Sequence, residues 1–166
     1  MGGPRARRDV RRRHRERARA PRQRGHRPAA GLTPAPRRLL LDTNVLVDLE
    51  RRLLTPTDVS GPDDDVAVPA IVLAEYRTGV ERARTPEQRR RRERVLDALL
   101  LAVTVLDFTE TTAEHYATLA AHTLATGKKR GQNDLQIAAH AAETQRLVVT
   151  RDFSAKFDDL PGVRPA

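Results

Sequence analysis

From residue 39 onward the apolar residues fall in short runs, each followed by a stretch whose apolar positions recur at helical spacing. Leu39-Leu40-Leu41, Val66-Ala67-Val68, Val103-Thr104-Val105-Leu106 and Leu147-Val148-Val149 read as four short strands. The spacing predicts a helix over 43–52, with Val45, Leu46 and Leu49 on one face. A second runs from Pro69 to about 79, where Gly79 supplies the stop. Residues 86–101 form a third, with Val95, Leu96, Leu99 and Leu100 facing inward. Residues 111–126 form a fourth, with Tyr116, Leu119, Ala120 and Leu124 at the right period. Asn133 is placed to cap a fifth helix reaching about 143. Between them, 55–65 reads as a loop broken by Pro56, Gly61 and Pro62, 127–131 as a basic loop, and 152–157 as a turn or short helix. Strand–helix alternation of this kind predicts an α/β domain, its mostly parallel sheet covered on both faces.

Composition narrows the chemistry. The 166 residues suit one domain, and with 3% aromatics the core must be Leu, Val and Ala. No cysteine is present, which removes disulfides, thiolate catalysis and zinc–thiolate sites and fits a cytoplasmic home. No apolar run approaches the roughly 18 residues of a membrane span, and the N-terminus lacks the apolar stretch of a signal peptide.

The net charge of +9 is not uniform. Residues 1–38 hold 14 arginines against Asp9 and Glu16, a balance of +12, whereas the rest carries 17 basic and 20 acidic side chains, a balance of −3. Residues 1–38 are rich in Arg, Pro and Gly and poor in large apolar side chains, so they are expected to be a disordered tail on a domain of residues 39–166. Such a tail is either an electrostatic arm for nucleic acid or a solvated extension read from a start assigned too far upstream.

Four acids stand where a strand ends or a helix begins: Asp42, Glu75, Asp134 and Asp152. In a parallel sheet the carboxyl ends of the strands share one edge, and ligands bind there. Four carboxylates at one edge repel one another unless a cation joins them, which suggests a hard-metal site for Mg²⁺ or Mn²⁺. Thr43, Asn44, Asn133 and Thr150 flank the acids and are short hydrogen-bonding groups suited to orienting them. Lys128, Lys129 and Arg130 precede Asn133-Asp134 and are candidates for contacting substrate phosphates. Asp48, Glu50, Asp158 and Asp159 are expected to be surface charges, the run 89–92 to be solvated, and His140 to pack near the surface.

Leu40-Leu41-Asp42-Thr43-Asn44, Ala74-Glu75, Asn133-Asp134-Leu135-Gln136-Ile137-Ala138-Ala139-His140-Ala141 and Thr150-Arg151-Asp152-Phe153, in this order over about residues 39–163, resemble the PIN domain, and more narrowly the VapC-type toxins of bacterial toxin–antitoxin pairs. The resemblance implies a three-layer α/β/α sandwich and an Mg²⁺- or Mn²⁺-dependent endoribonuclease leaving 3′-hydroxyl and 5′-phosphate ends. It also implies a homodimer, inhibited by a cognate antitoxin. Carried over by position, the metal-binding and catalytic acids are Asp42, Glu75, Asp134 and Asp152. The alternative from another class is a non-catalytic nucleic-acid-binding module working through the basic tail.

Overall fold

The computed structural model describes residues 35–166; the tail expected over 1–38 lies, up to residue 34, outside the described residues. Its strands are β1 (Arg38–Leu41), β2 (Asp65–Pro69), β3 (Thr104–Leu106), β4 (Leu147–Val149) and β5 (Arg164–Pro165). The helices are α1 (Thr43–Glu50), α2 (Pro56–Val59), α3 (Ala70–Glu81), α4 (Pro86–Ala102), α5 (Glu110–Thr126) and α6 (Gln132–Thr144). Two 3₁₀ turns, Phe153–Ala155 and Phe157–Asp159, join β4 to β5.

All strand pairs are parallel, in the order β3-β2-β1-β4-β5. β1 is central, with Leu40 opposite Ala67 on one side and Val148 on the other. Leu39, Leu40, Ala67, Val68 and Val148 are fully buried, as unbroken apolar runs in a sheet covered on both faces must be. Each buried Leu or Val removes apolar area worth about 1.5–3 kcal/mol. α1, α3 and α4 pack on one another and α5 lies along α6, giving the α/β/α arrangement.

Several local expectations are corrected. Gly79 does not stop its helix: α3 continues to Glu81, and the Arg92 guanidinium donates to the Gly79 carbonyl. The N-cap of α6 is Gly131, so Asn133 sits inside the first turn with its side chain free for a tertiary contact. Leu100 and Leu124 are exposed, because the buried stripe of each helix is narrower than its apolar periodicity. The loop over 55–65 contains α2, capped by Thr55 and Asp58. β5 carries no apolar signal; its pairing with β4 is backbone work, continued by Ala166 N–H donating to the Val148 carbonyl at 2.9 Å.

Two polar residues expected at the surface are buried. Glu50 is 4% exposed and accepts from Arg91 (2.8 and 3.0 Å) and Arg92 (3.2 Å), so Arg92 is tied down and largely withdrawn from water, while Arg91, paired with the same acid, stays half exposed. His140 is buried with its ring nitrogens 2.8 Å from the Gln136 carbonyl and 3.3 Å from that of Asp107, and Phe108 lies edge-on to it. The domain edge is also firmer than its composition suggests. Arg37 forms a forked pair with Asp64, and Arg38 opens β1. Among the described residues no helix is long and apolar enough to cross a membrane.

Candidate active site

Parallel strands deliver their carboxyl ends to one edge of the sheet, and the acids are met there. Asp42 follows β1 and caps α1; it is 7% exposed. Its Oδ1 accepts from the Thr43 backbone N–H (2.6 Å), and its Oδ2 from the Asn44 amide (2.6 Å) and the Thr150 hydroxyl (2.7 Å). Asn44 in turn donates to Thr150 (3.0 Å) and accepts from the Arg151 N–H (2.9 Å), stitching the end of β1 to the end of β4.

Glu75 lies in the second turn of α3. Asn133 of α6 donates to its Oε1 at 2.5 Å, and the Thr43 hydroxyl of α1 donates to Oε2. Three helices thereby meet on one carboxylate. Asp134, in the first turn of α6, folds back toward Gly131. A Cβ at Gly131 would stand 2.8 Å from Asp134 Oδ2, so only glycine leaves that carboxylate its place.

Charge is the distinctive property of this group. Burial raises the Asp42 carboxyl above its usual range against three hydrogen bonds that lower it, and the Glu75 charge raises it further. Burial raises Asp134 too, followed by the charges of Asp42, Asp152 and Glu75. The neighbouring charges that raise both are thus acidic, whereas Glu75 also lines a pocket with Arg82, Arg84 and Arg92.

Asp152 behaves differently. Its Oδ1 accepts from the Ser154 N–H (2.8 Å) and hydroxyl (2.5 Å), which holds its carboxyl below the usual range and ties it into its own turn. It is exposed at the rim, within electrostatic reach of Asp134. Lys128 and Arg130 lie on the same side but share Asp159, at 3.2 and 3.0 Å, while Lys129 is exposed. The role of Asp159 in holding both cations has no local signal in the sequence, because its partners lie 31 and 29 residues away.

Among the described residues no three acids stand close enough to cage an ion by themselves. Mg²⁺ and Mn²⁺ take one or two carboxylates and complete an octahedron with water and substrate oxygens. The donors on offer are all oxygens, and two of the carboxyls, Asp42 and Asp134, are raised first by burial and then by neighbouring acids. The residues fit a hard divalent cation.

A family model described as PIN domain matches residues 39–162. The chain belongs to the PIN domain family. This PIN domain is 30% identical over 118 residues to Ribonuclease VapC2 of Haemophilus influenzae, covering 69% of the chain and 86% of that protein. It is 35% identical over 127 residues to Ribonuclease VapC5 of Mycobacterium tuberculosis, covering 75% and 84%. Among solved structures it resembles VapBC2 from Rickettsia felis bound to a DNA fragment from their promoter. The TM-score is 0.68 at 26% identity, over 78% of this chain and 97% of that one. The acids of the PIN domain therefore sit in a scaffold shared with VapC ribonucleases.

Proposed function

We propose that this VapC-type PIN domain is a divalent-metal-dependent endoribonuclease that hydrolyses RNA phosphodiester bonds, and that it is the toxin of a toxin–antitoxin pair. The observation that carries the reading is the pair Asp42 and Asp134, both raised first by burial and then by the charges of neighbouring acids, Glu75 among them. Asp42 and Asp134 would hold the ion directly, Mg²⁺ in the first instance with Mn²⁺ as the substitute, and Glu75 and Asp152 would join it through bound water. Bound there, such an ion supplies an acidified water and a counter-charge for the leaving oxygen.

The chain's own groups set the geometry. Thr150 and Asn44 hold Asp42 in one rotamer, Thr43 and Asn133 clamp Glu75 from two helices, and Gly131 leaves room for Asp134. Lys128, Lys129 and Arg130 would receive the phosphates of the RNA strand beside the acids. Hydrolysis at the 3′ oxygen leaves 3′-hydroxyl and 5′-phosphate ends. The partner proposed is a cognate antitoxin, in keeping with the VapBC complexes that the chain resembles. The same reading includes a homodimer. Exposed Leu100 and Leu101 on α4 and Val105 on the edge strand β3 offer it apolar surface.

The test is cleavage of a mixed structured-RNA pool by the purified chain with Mg²⁺ or Mn²⁺ and with EDTA, alongside Asp42→Ala. Cutting that needs metal and is lost in Asp42→Ala is the expected result. RNA binding without cutting by the unaltered chain would transfer the proposal to the binding-module alternative.

A further inference from the structure

Beside the acids, the loop between α5 and α6 and the turns after β4 enclose a cleft of about 740 Å³ lined by Lys128, Arg130, Phe153, Lys156, Asp158 and Asp159. One of its residues has no structural explanation inside the domain. Phe153 follows the rim acid directly and is 89% exposed, although the chain has only three phenylalanines to place in its core. Arg130 is the reverse: its side chain is 9% exposed, pinned to Asp159 and donating to the Lys128 and Lys129 carbonyls at 3.5 and 3.2 Å, with only its Nε buried without a hydrogen-bond partner. A buried guanidinium with an idle donor is costly unless something accepts from it. Lys156, held at φ 45° between the two turns, completes the cationic side.

The cleft is coupled to the acids by a short path. The Asp152 N–H donates to Thr150 (3.0 Å), and Thr150 donates to Asp42 (2.7 Å). The opposite wall, Lys128 to Arg130, runs through Gly131 into the helix that carries Asp134.

We propose that this cleft binds one unpaired nucleotide of the substrate, its base stacked on the Phe153 ring and its phosphate held by Lys128 and Lys156 with Arg130 behind. The inference rests on the ribonuclease reading above. An aromatic face beside cations suits single-stranded nucleic acid, because every base offers a π-face and stacking tolerates any sequence. A base inside a duplex is already stacked on both sides and cannot reach the ring.

The experiment uses the full chain with Phe153→Ala and Phe153→Trp, each also in an Asp42→Ala background so that binding is read without cleavage. The probes are a hairpin RNA with an unpaired loop, a blunt duplex of the same composition, and the hairpin with single abasic sites walked through the loop. Phe153→Ala should weaken hairpin binding and slow hairpin cutting about tenfold, leave duplex binding unchanged, and be rescued by Phe153→Trp. One abasic position should reproduce the loss, with no further effect of Phe153→Ala on that RNA. Phe153→Ala binding and cutting the hairpin like the unaltered chain overturns the platform while leaving the ribonuclease standing. The platform also falls if Phe153→Ala weakens only the grip on the antitoxin, which would make the ring a protein contact. An unaltered chain that neither cuts nor binds RNA with metal present would sink both proposals together.

Discussion

The Thr150 hydroxyl lies 2.7 Å from Asp42 Oδ2, joining residues 108 apart in the chain across the carboxyl ends of β1 and β4. Thr150 also accepts from the Asn44 amide and the Asp152 N–H, so one hydroxyl organises both the inner acid and the rim.

Thr150→Val keeps the shape of the side chain and removes the hydroxyl. We expect a folded protein with cleavage reduced about 10- to 100-fold, the usual cost of losing a group that orients a metal ligand. Part of the loss should be recovered at higher Mg²⁺, because Asp42 remains present but less well aimed. Cleavage rates across a metal titration check this; an unchanged titration curve would show that Asn44 and Thr43 suffice.

Glu50 is a buried acid serving two arginines, of which Arg92 is itself only 19% exposed in its side chain. Glu50→Ala strands a half-buried guanidinium beside Tyr76, whose hydroxyl is buried without a partner and whose ionisation is pushed up to about 12 chiefly by burial. The expected cost is about 3 kcal/mol of folding stability, read from urea unfolding. Because Arg92 also lines a pocket with Glu75, the cleavage rate of the folded fraction measures how far the loosened arginine reaches the acids.

Asp65 is held below the usual carboxylate range, first by the hydrogen bond from Arg146 (2.7 Å). A depressed folded value means that the unfolded chain takes up the proton first. This contribution is therefore complete above the unfolded carboxylate pKa and is lost as pH falls through the folded one. Asp65→Asn should flatten that acid limb of the stability curve. Arg146→Ala goes further, since it also abandons the carbonyls of Asp65 (2.7 Å) and Leu39 (3.4 Å) at the foot of the sheet. Denaturation midpoints measured across the acid range up to neutrality separate the two variants.

Asp42 and Asp134 carry the opposite sign. Their folded values are raised, so their ionisation weakens the metal-free fold as pH rises through the carboxylate range. A bound divalent ion reverses that penalty. Mg²⁺ at about 100 times its Kd should add about 2.7 kcal/mol at neutral pH, and the gain should shrink in acid, where protons compete for the same oxygens. Thermal melts with and without metal at several pH values read this directly. A metal-independent melting temperature at neutral pH would show that no ion is held there.

Which parts were legible follows from the range of the forces involved. Short apolar runs buried on both faces and helical stripes are local patterns, so β1, β2, β4 and the main helices could be read from the sequence. Because parallel strands all end at one edge, the order of Asp42, Glu75 and Asp134 along the chain already implied their meeting. Their flanking Thr43, Asn44, Asn133 and Thr150 were legible for the same reason, since each is a chain neighbour of an acid or of a strand end.

Packing alone decided the rest. Whether Glu50 faced water or two arginines, whether His140 lay inside, and whether Lys128 and Arg130 were free or shared Asp159 all depend on side chains far apart in sequence, 41 residues in the pair of Glu50 with Arg91 and 31 in that of Lys128 with Asp159. Asp152 shows the limit most clearly. Its place after a strand is a local pattern, but the Ser154 hydrogen bonds that turn its carboxylate into its own loop exist only once the turn has formed. β5 has no apolar signature because an edge strand of two residues is held by backbone hydrogen bonds, which nearly every residue type provides.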